Sequence, residues 1–118
     1  MALTVVLLGL ALWSGRRGRR HLHYGLVAAM LLALTGAIIQ AEFYGRHLRF
    51  DPWRLRIHLG CAFLALGLVP FAAVTGWRLR TRPSARPAHR RAVGCFVTAT
   101  GLAIITAGWM FLSARSGE

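Results

Sequence analysis

Five histidines are the residues of this chain whose chemistry best suits cofactor binding: His21, His23, His47, His58 and His89. A neutral imidazole is the commonest protein ligand for metals and serves as an axial ligand of haem iron. His23, His58 and His89 are separated by 35 and 31 residues, about one membrane span plus one loop in each case. This spacing predicts one histidine near the start of each of three consecutive helices. We expect His21 and His47 to lie in water.

His23 and His89 form the most promising ligand pair. The second and fourth helices of an up-down bundle begin at the same membrane surface and lie diagonally across the core. Inward imidazoles at one depth would therefore be placed to ligate the two faces of a haem iron. Zinc fits less well because no carboxylate or thiol joins the pair. Four nearby arginines are candidates for binding haem propionates: Arg19, Arg20, Arg86 and Arg90. The competing interpretation is that each histidine simply occupies the headgroup region.

The elements that must position these histidines are membrane spans. The 118 residues are 56% hydrophobic, yet they carry 15 basic residues, all arginine, against 3 acidic ones. The arginines form short blocks between long uncharged runs, which excludes a soluble basic domain and indicates a membrane protein. Three uncharged runs reach the roughly 18–20 residues that a span requires: 24–41, 57–77 and 92–114.

A fourth uncharged run, residues 2–13, is shorter. As a helix it measures about 18 Å, so it spans only if Ser14, Gly15 and the arginines that follow reach the headgroups. We favour this short first span over a cleaved signal peptide. No basic region precedes the run and no small-x-small cleavage pattern follows it.

The sequence thus predicts an all-α integral membrane protein, a four-helix up-down bundle. It forms a single transmembrane domain, residues 1–118, with spans at about 2–15, 22–44, 55–79 and 90–114. Asp51-Pro52 is an N-cap acid followed by a first-turn proline, which predicts that the third helix begins near Pro52. Ten arginines lie in loops 1–2 and 3–4 and five on the other side. The positive-inside rule then places both termini in the periplasm of a bacterial inner membrane.

Two helices carry ridges of small residues at four-residue spacing. The second helix has Gly25, Ala29, Ala33, Ala37 and Ala41, and the fourth has Cys95, Ala99, Ala103 and Ala107. Such ridges let helices approach closely. We favour packing within the bundle or along a homodimer seam, and the alternative is room for a flat cofactor.

Several function classes lack the residues that they need. Small dual-topology multidrug transporters use a carboxylate in the first span, and residues 2–13 contain none. Quinone-linked disulfide oxidases use cysteine pairs, whereas Cys61 and Cys95 begin antiparallel spans and are expected to be buried free thiols. No hydrolase triad, phosphate loop or HExxH motif is present. Aromatic residues do not alternate with the arginine blocks, so we expect contact with membrane lipids and not with nucleic acid.

A quinone site is a further possibility at the outer end of the second helix, where Gln40, Glu42, Tyr44 and His47 occur together. Glu42 and Arg46 are spaced i,i+4, however, and this spacing favours an ordinary surface ion pair.

The succession of His23, His58 and His89 resembles the membrane core of cytochrome b561 and its small four-helix relatives. Further similarities over about residues 20–114 are Gly36, the Ile-His-Leu-Gly stretch at 57–60, Thr75-Gly76 and His89-Arg90. The resemblance implies haem b and transmembrane electron transfer, with His23 and His89 ligating one haem and His58 another.

The chain departs from the family pattern at His58. The first helix contains no histidine, so His58 has no diagonal partner and would need His47 or a ligand from another chain. We therefore expect one haem or none. The predicted function is a membrane-embedded haem b electron-transfer protein. The alternative is a non-catalytic accessory or assembly subunit of a larger respiratory or photosynthetic membrane complex. Whether the chain is an enzyme stays open, and we favour an electron-transfer or accessory role over that of a stand-alone enzyme.

Overall fold

The computed structural model of the chain describes residues 2–116. The chain forms four α-helices there: α1 (Ala2–Arg16), α2 (Arg20–Gly45), α3 (Pro52–Thr81) and α4 (Arg86–Phe111). A 3-10 turn, Pro83–Ala85, lies between α3 and α4. Two short strands, β1 (Leu48–Arg49) and β2 (Arg115–Ser116), form one two-stranded sheet. The predicted all-α class with four helices is confirmed, whereas their arrangement as one up-down bundle stays a prediction.

Three segments are long and apolar enough to cross a membrane. They are α2, α3 and Pro83–Phe111, with mean hydropathies of 2.0, 2.1 and 1.6. Helix α1 has 15 residues, about 22 Å of helix, and is apolar but shorter than these three. Large apolar side chains along the long helices are about two-thirds exposed, among them Phe63, Phe71 and Ile105. Lipid contact accounts for this exposure better than water does.

The chain divides into two compact units. In the first hairpin, Met1–Leu48, α1 packs against α2. In the second hairpin, Arg49–Glu118, α3 packs against α4. His23, His58 and His89 are each positioned by the two helices of their own hairpin.

The turn of the first hairpin depends on Gly18. Its φ of +69° lies in the left-handed region, which glycine adopts without steric cost. The backbone N–H groups of Arg17, Gly18 and Arg19 donate to carbonyl oxygens near the end of α1. The guanidinium carbons of Arg17 and Arg19 lie 5.5 and 5.6 Å from the centroid of the Trp13 ring. The cationic turn is thus held against the end of α1 by aromatic contact.

Helix α3 begins where the sequence predicts. The Asp51 side chain accepts hydrogen bonds from the backbone N–H groups of Trp53 at 3.1 Å and Arg54 at 3.0 Å, and Pro52 is the first helical residue. Arg54 lies 4.9 Å from the Trp109 ring centroid and donates to the Trp109 carbonyl at 3.1 Å. These contacts tie the start of α3 to the end of α4.

Small residues of α4 allow the two helices of the second hairpin to pack closely. Ala99 and Ala107 are buried, and Ala103 is half-buried. Most of the small-residue ridge of α4 is therefore covered, which agrees with the packing interpretation. Cys61 and Cys95 are both free, but the prediction that they are buried is wrong, because Cys61 is half-buried and Cys95 is exposed.

Candidate functional site

His23 crosses from α2 to the end of α1. Its Nδ1 lies 2.8 Å from the carbonyl oxygen of Ala11 and 3.5 Å from Oγ of Ser14. A carbonyl oxygen only accepts hydrogen bonds, so the proton must be on Nδ1. The fully buried Ser14 hydroxyl donates to the same Ala11 carbonyl at 3.0 Å. In its neutral form His23 therefore carries its lone pair on Nε2.

His89 makes the corresponding contact from α4 to the end of α3. Its Nδ1 lies 3.1 Å from Oγ1 of Thr75. The Thr75 hydroxyl donates to the carbonyls of Phe71 at 2.8 Å and Ala72 at 3.1 Å. With its single proton directed there, Oγ1 presents a lone pair to His89. This arrangement favours the Nδ1–H tautomer at His89, as at His23.

His58 repeats the arrangement in the opposite direction, from the start of α3 to the end of α4. Its Nδ1 lies 3.1 Å from the Ala103 carbonyl oxygen and 3.3 Å from Oγ1 of Thr106. The Thr106 hydroxyl donates to the carbonyls of Leu102 at 2.8 Å and Ala103 at 3.1 Å. The Nδ1 proton again faces acceptors, and the lone pair is again on Nε2.

The three helix segments that accept these histidines share one sequence pattern, alanine, two residues, serine or threonine, then glycine or alanine. We call each a receptacle. They are Ala11-Leu-Trp-Ser-Gly15, Ala72-Ala-Val-Thr-Gly76 and Ala103-Ile-Ile-Thr-Ala107. In all three the hydroxyl bonds back to the alanine carbonyl three residues earlier. The recurrence indicates one structural device used three times.

The glycines at the ends of two receptacles lie directly beneath the imidazole rings. A Cβ added at Gly15 would lie 3.2 Å from Cε1 and Nδ1 of His23. A Cβ added at Gly76 would lie 3.1 Å from Cε1 of His89. Both distances are shorter than ordinary contact, so these glycines permit the rings to approach the helix backbone.

The two hairpins repeat each other in sequence. Helices α2 and α4 each have 26 residues, begin 66 residues apart and carry His23 and His89 as their fourth residues. Aligned at that offset, residues 23–41 and 89–107 are identical at seven of 19 positions, including Ala-Ile-Ile-x-Ala at their ends. Met30 and Phe96, also 66 residues apart, are both buried. His23 and His89 thus occupy equivalent positions.

Sequence reasoning missed the receptacle hydroxyls, Ser14, Thr75 and Thr106, as partners of the histidines. The signal was present in the sequence, because the same five-residue pattern occurs three times, each time in the helix that pairs with a histidine-bearing helix.

The other candidate residues are placed differently. His21 and His47 are exposed. Glu42 and Arg46 form an i,i+4 ion pair at 3.2 Å, with side chains 69% and 68% exposed, which is the ordinary surface pair that the spacing favours. Gln40 and Tyr44 are exposed too, and in residues 2–116 no side-chain hydrogen bond joins either of them to His47. A quinone site gains no support there.

The metal-binding candidates in the described residues are single imidazoles and not clusters of ligands. Within the described residues, no group of three or more His, Cys, Asp or Glu side chains is placed to hold a metal ion. A haem iron requires only one or two imidazoles. The pairing of His23 with His89 takes one ligand from each hairpin and stays a prediction, as does a ligand role for His58.

Comparison of the chain with models of protein families, with curated proteins and with solved structures finds no match. The resemblance to cytochrome b561 therefore rests on His23, His58, His89 and the short stretches near them.

Proposed function

We propose that the chain is a membrane-embedded haem b electron-transfer protein, with His23 and His89 as the two axial ligands. The observation that carries the proposal is the shared state of these imidazoles. Each directs Nδ1 at an oxygen of the neighbouring helix. A neutral ring that donates from Nδ1 carries its lone pair on Nε2. Histidines that ligate metals almost always donate their other ring N–H in this way, which fixes the tautomer and the ring orientation.

The equivalence of the two histidines supports using them as a pair. Both are fourth residues of 26-residue helices, and both rings rest on a glycine that ends a receptacle. Two ligands held alike, in repeated elements, suit a cofactor with two similar axial positions. The distribution of arginines, ten against five, favours placing both helix starts at the cytoplasmic surface.

Different residues of the chain would bind the iron and the propionates of the haem. His23 and His89 would coordinate through Nε2, and their receptacles would keep each ring from rotating. Exposed arginines beside the two histidines, Arg19, Arg20, Arg86 and Arg90, would pair with the propionates. Haem b bound there would supply a one-electron ferric/ferrous couple.

Nδ1 of His58 also faces an acceptor on the neighbouring helix. His58 is the seventh residue of α3 and lies away from the start of α4, where His89 is found. A second haem bound by His58 would therefore need a further ligand. We therefore assign one haem to the chain, and quinone stays outside the proposal.

The experiment is to express the chain alone, purify it in detergent and record its absorption spectrum and its mass in solution. A monomer with a Soret band and reducible α and β bands supports the electron-transfer function. A colourless protein that is stable only with other membrane subunits supports the accessory or assembly role instead.

A further inference from the structure

We propose that the receptacle hydroxyls of Ser14, Thr75 and Thr106 are positioning residues, which hold the proton of the facing imidazole on Nδ1 and its lone pair on Nε2. The proposal deepens the haem assignment and rests on that assignment only for its redox readout. The position of the imidazole proton is a property of the protein itself and is measurable without any cofactor.

Each hydroxyl has one proton and donates it within its own helix, to Ala11, Ala72 or Ala103 three residues earlier. Towards the imidazole, each oxygen therefore presents only lone pairs. An imidazole with its proton on Nε2 would direct a lone pair from Nδ1 at these oxygens. The receptacle disfavours that tautomer by repulsion between two acceptors.

The three receptacle hydroxyls lie at different distances from their imidazoles. The distance from Thr75 Oγ1 to Nδ1 of His89 is 3.1 Å. The corresponding distances are 3.3 Å at Thr106 and 3.5 Å at Ser14. Because a hydrogen bond weakens as it lengthens, Thr75 is the hydroxyl whose removal should alter its histidine most.

Two other threonines show that a Thr-Gly pair in a helix is not enough to form a receptacle for an imidazole. Thr35 donates to Leu31 at 2.9 Å and Thr100 to Phe96 at 2.8 Å, and each precedes a glycine. A Cβ added at Gly36 or Gly101 would meet nothing within 4 Å, so no imidazole rests there. The residue three positions before these threonines is Leu32 or Val97, not alanine. A small side chain at that position is thus a shared feature of the three receptacles, and Thr35 and Thr100 provide matched controls.

For a metal ligand the consequence is electronic. An Nδ1–H that donates to an acceptor increases the basicity of Nε2 and so favours the ferric state. Thr75→Val keeps the size and branching of the side chain and removes the acceptor, whereas Thr75→Ser keeps the hydroxyl. If Thr75 acts through His89, the midpoint potential should rise in Thr75→Val and stay near the wild-type value in Thr75→Ser.

The experiment uses the full chain in detergent, labelled with ¹⁵N-histidine, with signals assigned by removing one histidine at a time. In the wild type we expect protonated Nδ1 and unprotonated Nε2 at His58, and the same at His23 and His89 in protein without haem. Thr75→Val should move the His89 signals towards a mixture of tautomers, and Thr75→Ser, Thr35→Val and Thr100→Val should not. Where haem is bound, the midpoint potential is the readout for His89, with the same four variants.

A wild-type His58 or His89 with its proton on Nε2 would overturn the proposal without needing any variant. Thr75→Val with unchanged His89 signals or potential would overturn it as well. Should Thr75→Val fail to fold, Thr106→Val read at His58 replaces it, with a smaller shift expected because Thr106 Oγ1 lies farther from its imidazole, at 3.3 Å. Wild-type protein with the expected tautomers and no Soret band would remove the haem assignment alone. Haem-containing protein whose midpoint potential is unchanged in Thr75→Val would overturn the positioning role alone.

Discussion

His23 donates its Nδ1 proton to the carbonyl oxygen of Ala11 across the first hairpin, at 2.8 Å. The contact joins the fourth residue of α2 to a buried position of α1. It links two helices that otherwise associate through apolar packing, and it determines which ring nitrogen remains available. The same relationship, with a threonine hydroxyl as acceptor, holds His89 in the second hairpin.

Glycine beneath the rings leads to the first prediction. Gly76→Ala introduces a Cβ 3.1 Å from Cε1 of His89, so the ring must move by a few tenths of an ångström. We expect faster haem loss, by several-fold, and no gain in thermal stability. The control is Gly101→Ala, where the Cβ meets nothing within 4 Å and helix propensity contributes about 0.5–1 kcal/mol. Equal haem retention in the two variants would contradict this role for Gly76.

The N-cap of α3 leads to the second prediction. Asp51→Ala removes the acceptor for the N–H groups of Trp53 and Arg54 and should lower the free energy of unfolding by about 1 kcal/mol. Denaturant unfolding in detergent, followed by circular dichroism, measures the change. Asp51→Asn should retain most of the stability, because its side-chain oxygen also accepts. An Asp51→Ala protein as stable as the wild type would show that the cap contributes nothing.

The outer end of α2 leads to the third prediction. Glu42 pairs with Arg46 on an exposed surface, so Glu42→Gln should change stability by less than about 0.5 kcal/mol. It should also leave the rate of any quinol-dependent haem reduction unchanged. Arg46→Gln is the matched control, because it breaks the same ion pair and keeps the carboxylate. Stopped-flow reduction by a soluble quinol analogue is the measurement. A large loss of rate in Glu42→Gln alone would restore the quinone site.

The broad architecture was accessible from the sequence because it depends on long-range composition. Uncharged runs separated by arginine blocks predicted the helices, and Asp51-Pro52 predicted the first residue of α3. The receptacle pattern recurs in the sequence, but its link to the histidines depends on which faces of two helices meet. The hydroxyls of Ser14 and Thr75 are common in helices and become informative only once an imidazole lies against them. Periodicity along one helix contains no such information.

Absorption spectra of histidine variants test directly whether His23 and His89 are the haem ligands. We predict a low-spin haem b spectrum for the wild-type protein. His23→Ala and His89→Ala should each lose it or convert it to a high-spin form. His21→Ala and His47→Ala, at exposed positions, should leave it unchanged. A wild-type protein without a Soret band, or a spectrum that survives His23→Ala intact, would contradict the proposed haem site.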